Sequence, residues 1–182
     1  MAYLVLMCGP SYSGKSTFAQ YLKNIGYFGD VEIVSTDAIR KEMLGDESDQ
    51  SHGDAVFGKA RAIVRGCLNA DENVIVDATN LTPRTRKEFL CIGRKYNATI
   101  YLVWMEATEE ELFARVSKRE RERVVPENVI RRQIAKSVVP TLTEGNVLWR
   151  VRKSDDGWAV DQDYWISEAF RGLITRGDAF KI

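Results

Sequence analysis

The stretch Gly9-Pro10-Ser11-Tyr12-Ser13-Gly14-Lys15-Ser16-Thr17 decides the fold of this chain. It fits the pattern G-x4-G-K-S, in which backbone N–H groups face phosphates, a lysine reaches the β- and γ-phosphates and a hydroxyl binds the metal. An apolar run that predicts a buried strand precedes the loop, and apolar residues at helical spacing follow it. We therefore predict a site for a nucleoside triphosphate with Mg²⁺. Its residues are Gly9, Ser11, Ser13, Gly14, Lys15, Ser16 and Thr17.

The composition is typical of one globular domain, and we predict a single domain over residues 1–182. Hydrophobic residues make up 45% of the chain and charged residues 29%. No apolar run approaches the roughly 20 residues of a membrane span. The three cysteines, Cys8, Cys67 and Cys91, are dispersed in apolar segments, which favours free thiols in a reducing cytoplasm. The net charge is zero, so any site for a polyanion must be a local patch.

Short apolar strands alternate with helical patterns along the chain. The strands predicted with most support are Tyr3 to Cys8, Asn73 to Asp77 and Ala98 to Met105. This alternation predicts an α/β fold with a parallel sheet of about five strands covered by helices on both faces. The C-terminal part, 147–174, is predicted to form a strand and then a helix that carries Trp165, Phe170 and Leu173.

Acidic residues follow two of the predicted strands, at the edge of the sheet where ligands bind in such folds. Asp77 ends a run of β-branched residues and is predicted to hold Mg²⁺ together with Ser16. The alternative is that Asp77 only caps the following turn. Asp77 and Asn80, three residues further on, are also predicted to contact the substrate.

Asp37 and Arg40 follow a short predicted strand, Glu32 to Ser35, and lie on one face of a predicted helix, three residues apart. The carboxylate could accept the proton of an attacking hydroxyl, and the arginine could hold an anionic acceptor. The spacing is equally compatible with an N-terminal aspartate that complements the helix dipole and pairs with the arginine.

A basic segment, Arg119 to Arg123, lies between two predicted helices, and the residues around it are also rich in positive charge. Residues 115–136 contain eight basic and three acidic residues, a local net charge of +5, and include the alternation Arg119-Glu-Arg-Glu-Arg123. Arginines on a movable segment can stabilise charge on the transferring phosphoryl group, so we predict a lid over about 117–126. The alternative is a solvated helical face with intrahelical ion pairs.

Taken in order, these motifs resemble the kinase domain of bacteriophage-type polynucleotide 5′-kinases. The resemblance covers about residues 1–142 and is carried by the phosphate loop, Ser35-Thr-Asp37-Ala-Ile-Arg40, Asp77-Ala-Thr-Asn80 and the arginine-rich segment. The D-x-x-R pair of Asp37 and Arg40 and the D-A-T-N strand end also occur in zeta-toxin-like and small-molecule kinases. Tyr12 stands where the family commonly has glycine.

The resemblance implies roles for individual residues. Lys15 and Ser16 would bind the phosphates of ATP and Mg²⁺, Asp37 would be the general base for a 5′-hydroxyl, and Arg40 would hold the acceptor's phosphate. Arg119 would be the catalytic lid arginine on the donor phosphates, and Arg123 would also bind them; Arg121 is an alternative. The implied substrates are 5′-OH ends of DNA or RNA, as in nucleic acid repair.

The phage enzyme's phosphatase domain carries a D-x-D-x-T motif, whereas Asp161-Gln-Asp163 lacks the threonine. We therefore expect a kinase without phosphatase activity. Two other classes stay open: a P-loop kinase of a nucleoside, nucleotide, sugar or antibiotic, and a nucleotide-dependent switch. The N-K-x-D motif of a GTPase switch is absent from the sequence.

Overall fold

The computed structural model describes residues 1–47, 49, 51–117, 125–154, 157–164 and 176–181. The strands within them are β1 (Tyr3–Cys8), β2 (Val31–Ser35), β3 (Asn73–Asp77), β4 (Thr99–Glu106), β5 (Val147–Ser154), β6 (Gly157–Tyr164) and β7 (Arg176–Lys181). The helices are α1 (Lys15–Asn24), α2 (Thr36–Leu44), α3 (Gly53–Asn69), α4 (Pro83–Lys95), α5 (Glu109–Ser117) and α6 (Glu127–Lys136).

The seven strands form one sheet in the order β2-β3-β1-β4-β5-β6-β7. The first five are mutually parallel, and β6 and β7 extend the sheet as antiparallel strands. Because parallel strands end at the same edge, the segments that follow β1, β2, β3 and β4 meet there. The register places Ser35, the last residue of β2, opposite Asp77, the last residue of β3.

Helices cover both faces of the sheet. Helix α1 packs on one face through Phe18 and Leu22, in a core that also contains Trp149 and Trp158. Helices α2, α3 and α4 contribute to the core of the other face. The strands nearest the centre are therefore apolar on both sides, as expected of a covered parallel sheet.

The predicted α/β fold is confirmed, and its parallel part has the five strands expected. The antiparallel strands β6 and β7 were not predicted. The predicted C-terminal helix around Trp165 to Leu173 lies outside the described residues. Two predicted helix starts are confirmed. Thr82 caps α4, with Pro83 at its first position, and Thr108 forms a capping box with Glu111 at the start of α5.

The sequence does carry a signal for β6. Asp156-Gly157 is a dipeptide favoured in tight hairpins. Trp158, Val160 and Gln162 then alternate inward, and all three are buried. A glutamine at an inward position obscures the pattern, but Gln162 accepts a hydrogen bond from the indole N–H of Trp149.

Among the described residues, no helix is both long enough and apolar enough to cross a membrane.

Candidate active site

The phosphate loop connects β1 to α1, and its glycines are required by its shape. Gly9 has φ 144° and donates its N–H to the carbonyl of Thr79 at 2.9 Å. A Cβ on Gly9 would lie 2.9 Å from Ser13 Oγ and 3.2 Å from the Met105 carbonyl. Gly14 has φ 99°, and a Cβ there would lie 3.2 Å from the Trp158 ring. The loop is thus held close to β3, β4 and β6, where only glycine fits.

Lys15 is buried and points back along the loop. Its Nζ donates to the Pro10 carbonyl at 2.7 Å. Burial lowers the pKa of Lys15 to about 8, against the opposing pull of the Asp77 and Asp37 carboxylates. An ammonium group whose charge is costly to bury gains from an anionic partner, as the phosphates of a nucleotide would provide.

Ser16 and Asp77 form the candidate metal site. Burial raises the pKa of Asp77 above its usual range, and the nearby Ser16 hydroxyl opposes this shift by favouring the charged carboxylate. Among the described residues there is no cluster of three or more histidine, cysteine, aspartate or glutamate side chains that could hold a metal. Two oxygen ligands fit Mg²⁺, which keeps several waters and binds through few protein groups plus the phosphates of a substrate.

Asp37 and Arg40 are joined in an ion pair at the start of α2. Ser35 caps this helix by accepting from the Ala38 N–H, which places Asp37 in the first turn. The Arg40 side chain is 8% exposed and donates to Asp37 Oδ1, whose side chain is 69% exposed. The structure therefore contains the pairing that the spacing allowed, with the carboxylate open to solvent and the arginine buried beneath it.

Three buried polar atoms have no hydrogen-bond partner within the described part of the chain: Ser13 Oγ, Arg40 Nε and Asn80 Oδ1. Buried polar groups are normally paired, so such atoms need an explanation. All three belong to the phosphate loop or to the segments that follow β2 and β3. Unpaired donors and acceptors at this edge fit a site whose partners arrive with a ligand.

Asn80 is fixed by contacts that the sequence did not reveal. Its Nδ2 donates to the Met7 carbonyl at 2.8 Å, and its backbone adopts φ 45°. Its own carbonyl accepts from Arg86 Nη1 at 3.0 Å. The fully buried Arg86 also makes a two-point contact with Glu144, at 2.7 and 2.8 Å. Arg86 shares the buried face of α4 with Phe89, and that position is the signal that could have singled it out.

The lid arginines Arg119, Arg121 and Arg123 lie outside the described residues, whereas the two flanking helices are described. Arg115, near the end of α5, donates to the Tyr12 carbonyl at 3.0 Å. Arg131 of α6 pairs with Glu109 of α5 and lies 4.7 Å from the Phe113 ring centroid. The flanking helices thus contact each other and the phosphate loop.

A cleft of about 700 Å³ adjoins the phosphate loop beyond β4 and β5. Pro10, Trp104, Glu106, Ile134 and Arg152 are among its lining residues. Its volume is in the range of small-molecule sites. A second cleft of about 470 Å³ lies at the opposite edge of the sheet and contains none of the predicted site residues.

The structure brings together most of the residues selected from the sequence. The loop residues, Asp37, Arg40, Asp77 and Asn80 all lie at the edge where β1, β2 and β3 end. Lys15 interacts electrostatically with both Asp77 and Asp37. The arrangement contains a phosphate-binding loop, an oxygen pair that could hold a cation and a separate carboxylate–arginine pair.

The chain is similar to several known proteins. The human Protein KTI12 homolog is 34% identical over 107 residues, which is 56% of this chain and 29% of the human protein. A chain of the solved Pnkp1/Rnl/Hen1 RNA repair complex is 27% identical with a TM-score of 0.65, over 74% of this chain and 43% of that one. This chain therefore spans less than half of either relative.

A gluconokinase from Sinorhizobium meliloti 1021 has a TM-score of 0.58 at 18% identity, with 82% of each chain covered, which shows a shared fold alone. The family model described as AAA domain matches residues 4–140. This match covers most of the chain and includes the phosphate loop, both acidic strand ends and the helices beside them. The chain therefore belongs to the AAA domain family AAA_33, and its fold is that of P-loop kinases.

Proposed function

We propose that the protein is an ATP-dependent polynucleotide 5′-hydroxyl kinase. The observation that carries the proposal is the Asp37–Arg40 pair beside the phosphate loop. A solvent-exposed carboxylate lies next to a buried arginine whose Nε has no hydrogen-bond partner in the described part of the chain, and this pair offers both a base and an anion-binding donor. An acceptor that presents a hydroxyl close to a phosphodiester matches these two groups.

In the proposed reaction the γ-phosphoryl group of ATP moves to the 5′-oxygen of DNA or RNA. Asp37 accepts the proton of the 5′-hydroxyl, the oxygen attacks the γ-phosphorus, and the bond to the β,γ-bridging oxygen breaks to release ADP. Arg40 binds the first phosphodiester of the acceptor. Lys15 neutralises the β- and γ-phosphates, and Gly9, Ser11, Ser13, Gly14 and Thr17 complete the nucleotide site with Ser16.

Ser16 and Asp77 would hold Mg²⁺, which supplies charge neutralisation at the β- and γ-phosphates. Asn80, whose Oδ1 is unpaired within the ranges that the structure describes, would accept a hydrogen bond from the substrate. Arg119, with Arg123, would stabilise the transferring phosphoryl group from the basic segment.

The similarity to Pnkp1 supports a nucleic acid acceptor, since that protein belongs to an RNA repair complex. The local charge of +5 over residues 115–136 supports it further, because the chain as a whole has no net charge. An acceptor polyanion would therefore be bound by one region of the surface and not by the whole molecule.

The second candidate is a kinase of a small molecule such as a nucleoside or a sugar. The observation that favours it is the 700 Å³ cleft beside Pro10, which is large enough for a compact acceptor. The shared fold with a gluconokinase is compatible with it. A nucleotide-dependent switch is the third candidate; it would turn over ATP only with a protein partner and would need no acceptor hydroxyl.

One acceptor screen separates these candidates. Protein, Mg²⁺ and γ-labelled ATP are incubated with 5′-OH DNA and RNA oligonucleotides and with a panel of nucleosides, nucleotides, sugars and antibiotics. We expect label on oligonucleotides, with apparent affinity that falls steeply between about 50 and 200 mM salt because phosphate contacts release counterions. Label on a neutral small molecule only, with little salt dependence, would replace the proposal by the second candidate.

A further inference from the structure

We propose that Tyr12 is a positioning residue for phosphoryl transfer, because it joins the phosphate loop to α5 and to Val125, which lies two residues before α6. The proposal rests on the proposed phosphoryl-transfer function but not on the identity of the acceptor. Tyr12 is at the loop position where the resembled family commonly has glycine, so its side chain gives this chain contacts that a glycine could not make.

The backbone of Tyr12 makes this side chain informative. Tyr12 has φ 66°, the left-handed region that glycine adopts readily and that costs free energy for other residues. A bulky residue stays in this region only where its surroundings hold it there. The contacts of Tyr12 must therefore hold its backbone in this conformation.

The first contact uses the backbone of Tyr12. Arg115, two residues before the end of α5, donates from Nη1 to the Tyr12 carbonyl at 3.0 Å. A charged donor makes a stronger hydrogen bond than a neutral one. This bond fixes the end of α5 against the middle of the phosphate loop.

The second contact uses the hydroxyl of Tyr12, which accepts from the Val125 N–H at 2.8 Å. Val125 stands two residues before the start of α6. The residue beside Tyr12 adds a third bond, because the Ser11 N–H donates to Gln133 Oε1 of α6 at 2.7 Å. Two consecutive loop residues, Ser11 and Tyr12, thus bind α5, α6 and the short segment before α6.

The phosphate loop, α5 and α6 form one connected unit. Helices α5 and α6 also bind each other through Glu109 and Arg131, and Arg131 lies against the Phe113 ring. A shift of the loop relative to α5 would therefore move α6 as well. Displacing a catalytic group by about 1 Å can cost up to roughly 100-fold in rate, so this coupling bears directly on transfer.

The test compares Tyr12→Phe, which removes one oxygen, with Gln133→Leu and with the double variant. Tyr21→Phe is the matched control, since it removes a hydroxyl from α1, where the Tyr21 ring stacks on Phe18. We measure the single-turnover rate, the dissociation constant of ATP and the Tm for each variant. The rate is measured with the best acceptor and with water.

We expect a rate loss of about tenfold for Tyr12→Phe and for Gln133→Leu, because both loosen the same joint. Because the two residues hold one unit, the double variant should lose less than the product of the two factors. ATP affinity should stay within about twofold and Tyr21→Phe should match the unmodified protein. A Tyr12→Phe rate equal to that of the unmodified protein would overturn the proposal, as would a loss matched by weaker ATP binding.

Two further measurements keep the outcome decisive. Tyr12→Gly removes the strain and the ring together; a variant as fast as the unmodified protein would mean that the side chain is only tolerated. Hydrogen exchange of the Val125 amide should be faster in Tyr12→Phe, and an unchanged rate contradicts the contact even if no acceptor is phosphorylated. If oligonucleotides fail as acceptors but water or a small molecule reveals the rate loss, the proposed substrate is wrong and the role of Tyr12 stands.

Discussion

At the scale of single residues, the site contains buried polar atoms that have no hydrogen-bond partner among the described residues. Ser13 Oγ, Arg40 Nε and Asn80 Oδ1 are buried and unpaired within the described residues. An unpaired buried polar group costs about 1–3 kcal/mol, and a bound ligand that pairs it recovers part of this cost. A site built in this way is specific, because a ligand that lacks the matching group leaves the cost in place.

Asp37 is the residue whose removal separates binding from transfer. We expect Asp37→Ala to lower kcat on a 5′-OH acceptor by about 10²–10⁴-fold, the range for loss of a general base, while ATP binding persists through the phosphate loop. Rapid-quench kinetics and ATP titration measure the two quantities. Asp30→Ala, at an exposed position before β2, is the control. A near-normal rate in Asp37→Ala would remove Asp37 as the base.

At the scale of elements, the position of Asn80 depends on a buried ion pair between Arg86 of α4 and Glu144 in the segment before β5. Arg86 is fully buried, bonds Glu144 at two points and donates to the carbonyls of Asn80 and Val138. Glu144 also accepts from the Thr141 N–H. The pair therefore ties Asn80 to a segment more than 50 residues away in sequence.

Arg86→Met should reduce the free energy of unfolding by about 3–5 kcal/mol, because it leaves Glu144 half-buried without its partner. Arg86→Met combined with Glu144→Leu should recover much of that loss, since removing both charges also removes their desolvation. Urea denaturation measures both values. If Arg86→Met alone were as stable as the unmodified protein, Glu144 would be readily hydrated without its partner, and the ion pair would not stabilise the contact between α4 and the segment before β5.

The packing of α4 on the sheet can be tested at Gly93. A Cβ there would lie 2.7 Å from Leu4 Cδ2 and 3.0 Å from Ile100 Cδ1, in a region without free space. Overpacking typically costs about 1–3 kcal/mol, so Gly93→Ala should be destabilising by about that amount, even though alanine favours helix. Gly58→Ala in α3 is the matched control, since its Cβ meets only Arg61 at 3.9 Å.

Gly58→Ala should stabilise the protein by up to about 1 kcal/mol through helix propensity alone. The two substitutions therefore have opposite signs although the chemical change is the same. Equal effects in thermal or urea unfolding would mean that α4 does not pack on β1 and β4 as closely as described.

At the scale of the whole molecule, the fold could be predicted from the sequence further than the site could. The phosphate loop, the parallel strands and the acidic strand ends follow from local patterns: glycine spacing, apolar runs and caps. The contact of Arg86 with Glu144 and the bonds of Tyr12 join residues 58 to 113 positions apart, and no local pattern encodes them. The strand β6 was missed because an inward glutamine, Gln162, broke the apolar alternation.

The whole fold also controls which thiols react. Cys8 is fully buried in β1, and burial raises its pKa to about 12, whereas Cys91 is exposed on α4. We expect a thiol reagent at pH 8 to modify Cys91 rapidly, with Cys67 slower and Cys8 reactive only after unfolding. Cys91→Ser should remove the fast phase. A fast phase that remains in Cys91→Ser would contradict the burial of the other two thiols.

The same pKa shift has a sign for stability. Between pH about 9 and about 12 the unfolded chain has lost the Cys8 proton while the folded chain retains it. The contribution of Cys8 to stability is therefore full below pH about 9 and declines as the pH rises through that window. The midpoint of urea unfolding should therefore fall from pH 8 to pH 10, and this fall should be smaller in Cys8→Ala than in the unmodified protein.

The most direct test of the central claim is the position of the transferred phosphate. Protein, Mg²⁺ and γ-labelled ATP are mixed with one oligonucleotide sequence that carries either a 5′-OH or a 5′-phosphate, as DNA and as RNA. We predict label on the 5′-OH forms of at least one nucleic acid, none on the 5′-phosphate forms, and loss of labelling in Asp37→Ala. ATP turnover with no label on any 5′-OH end would contradict the account.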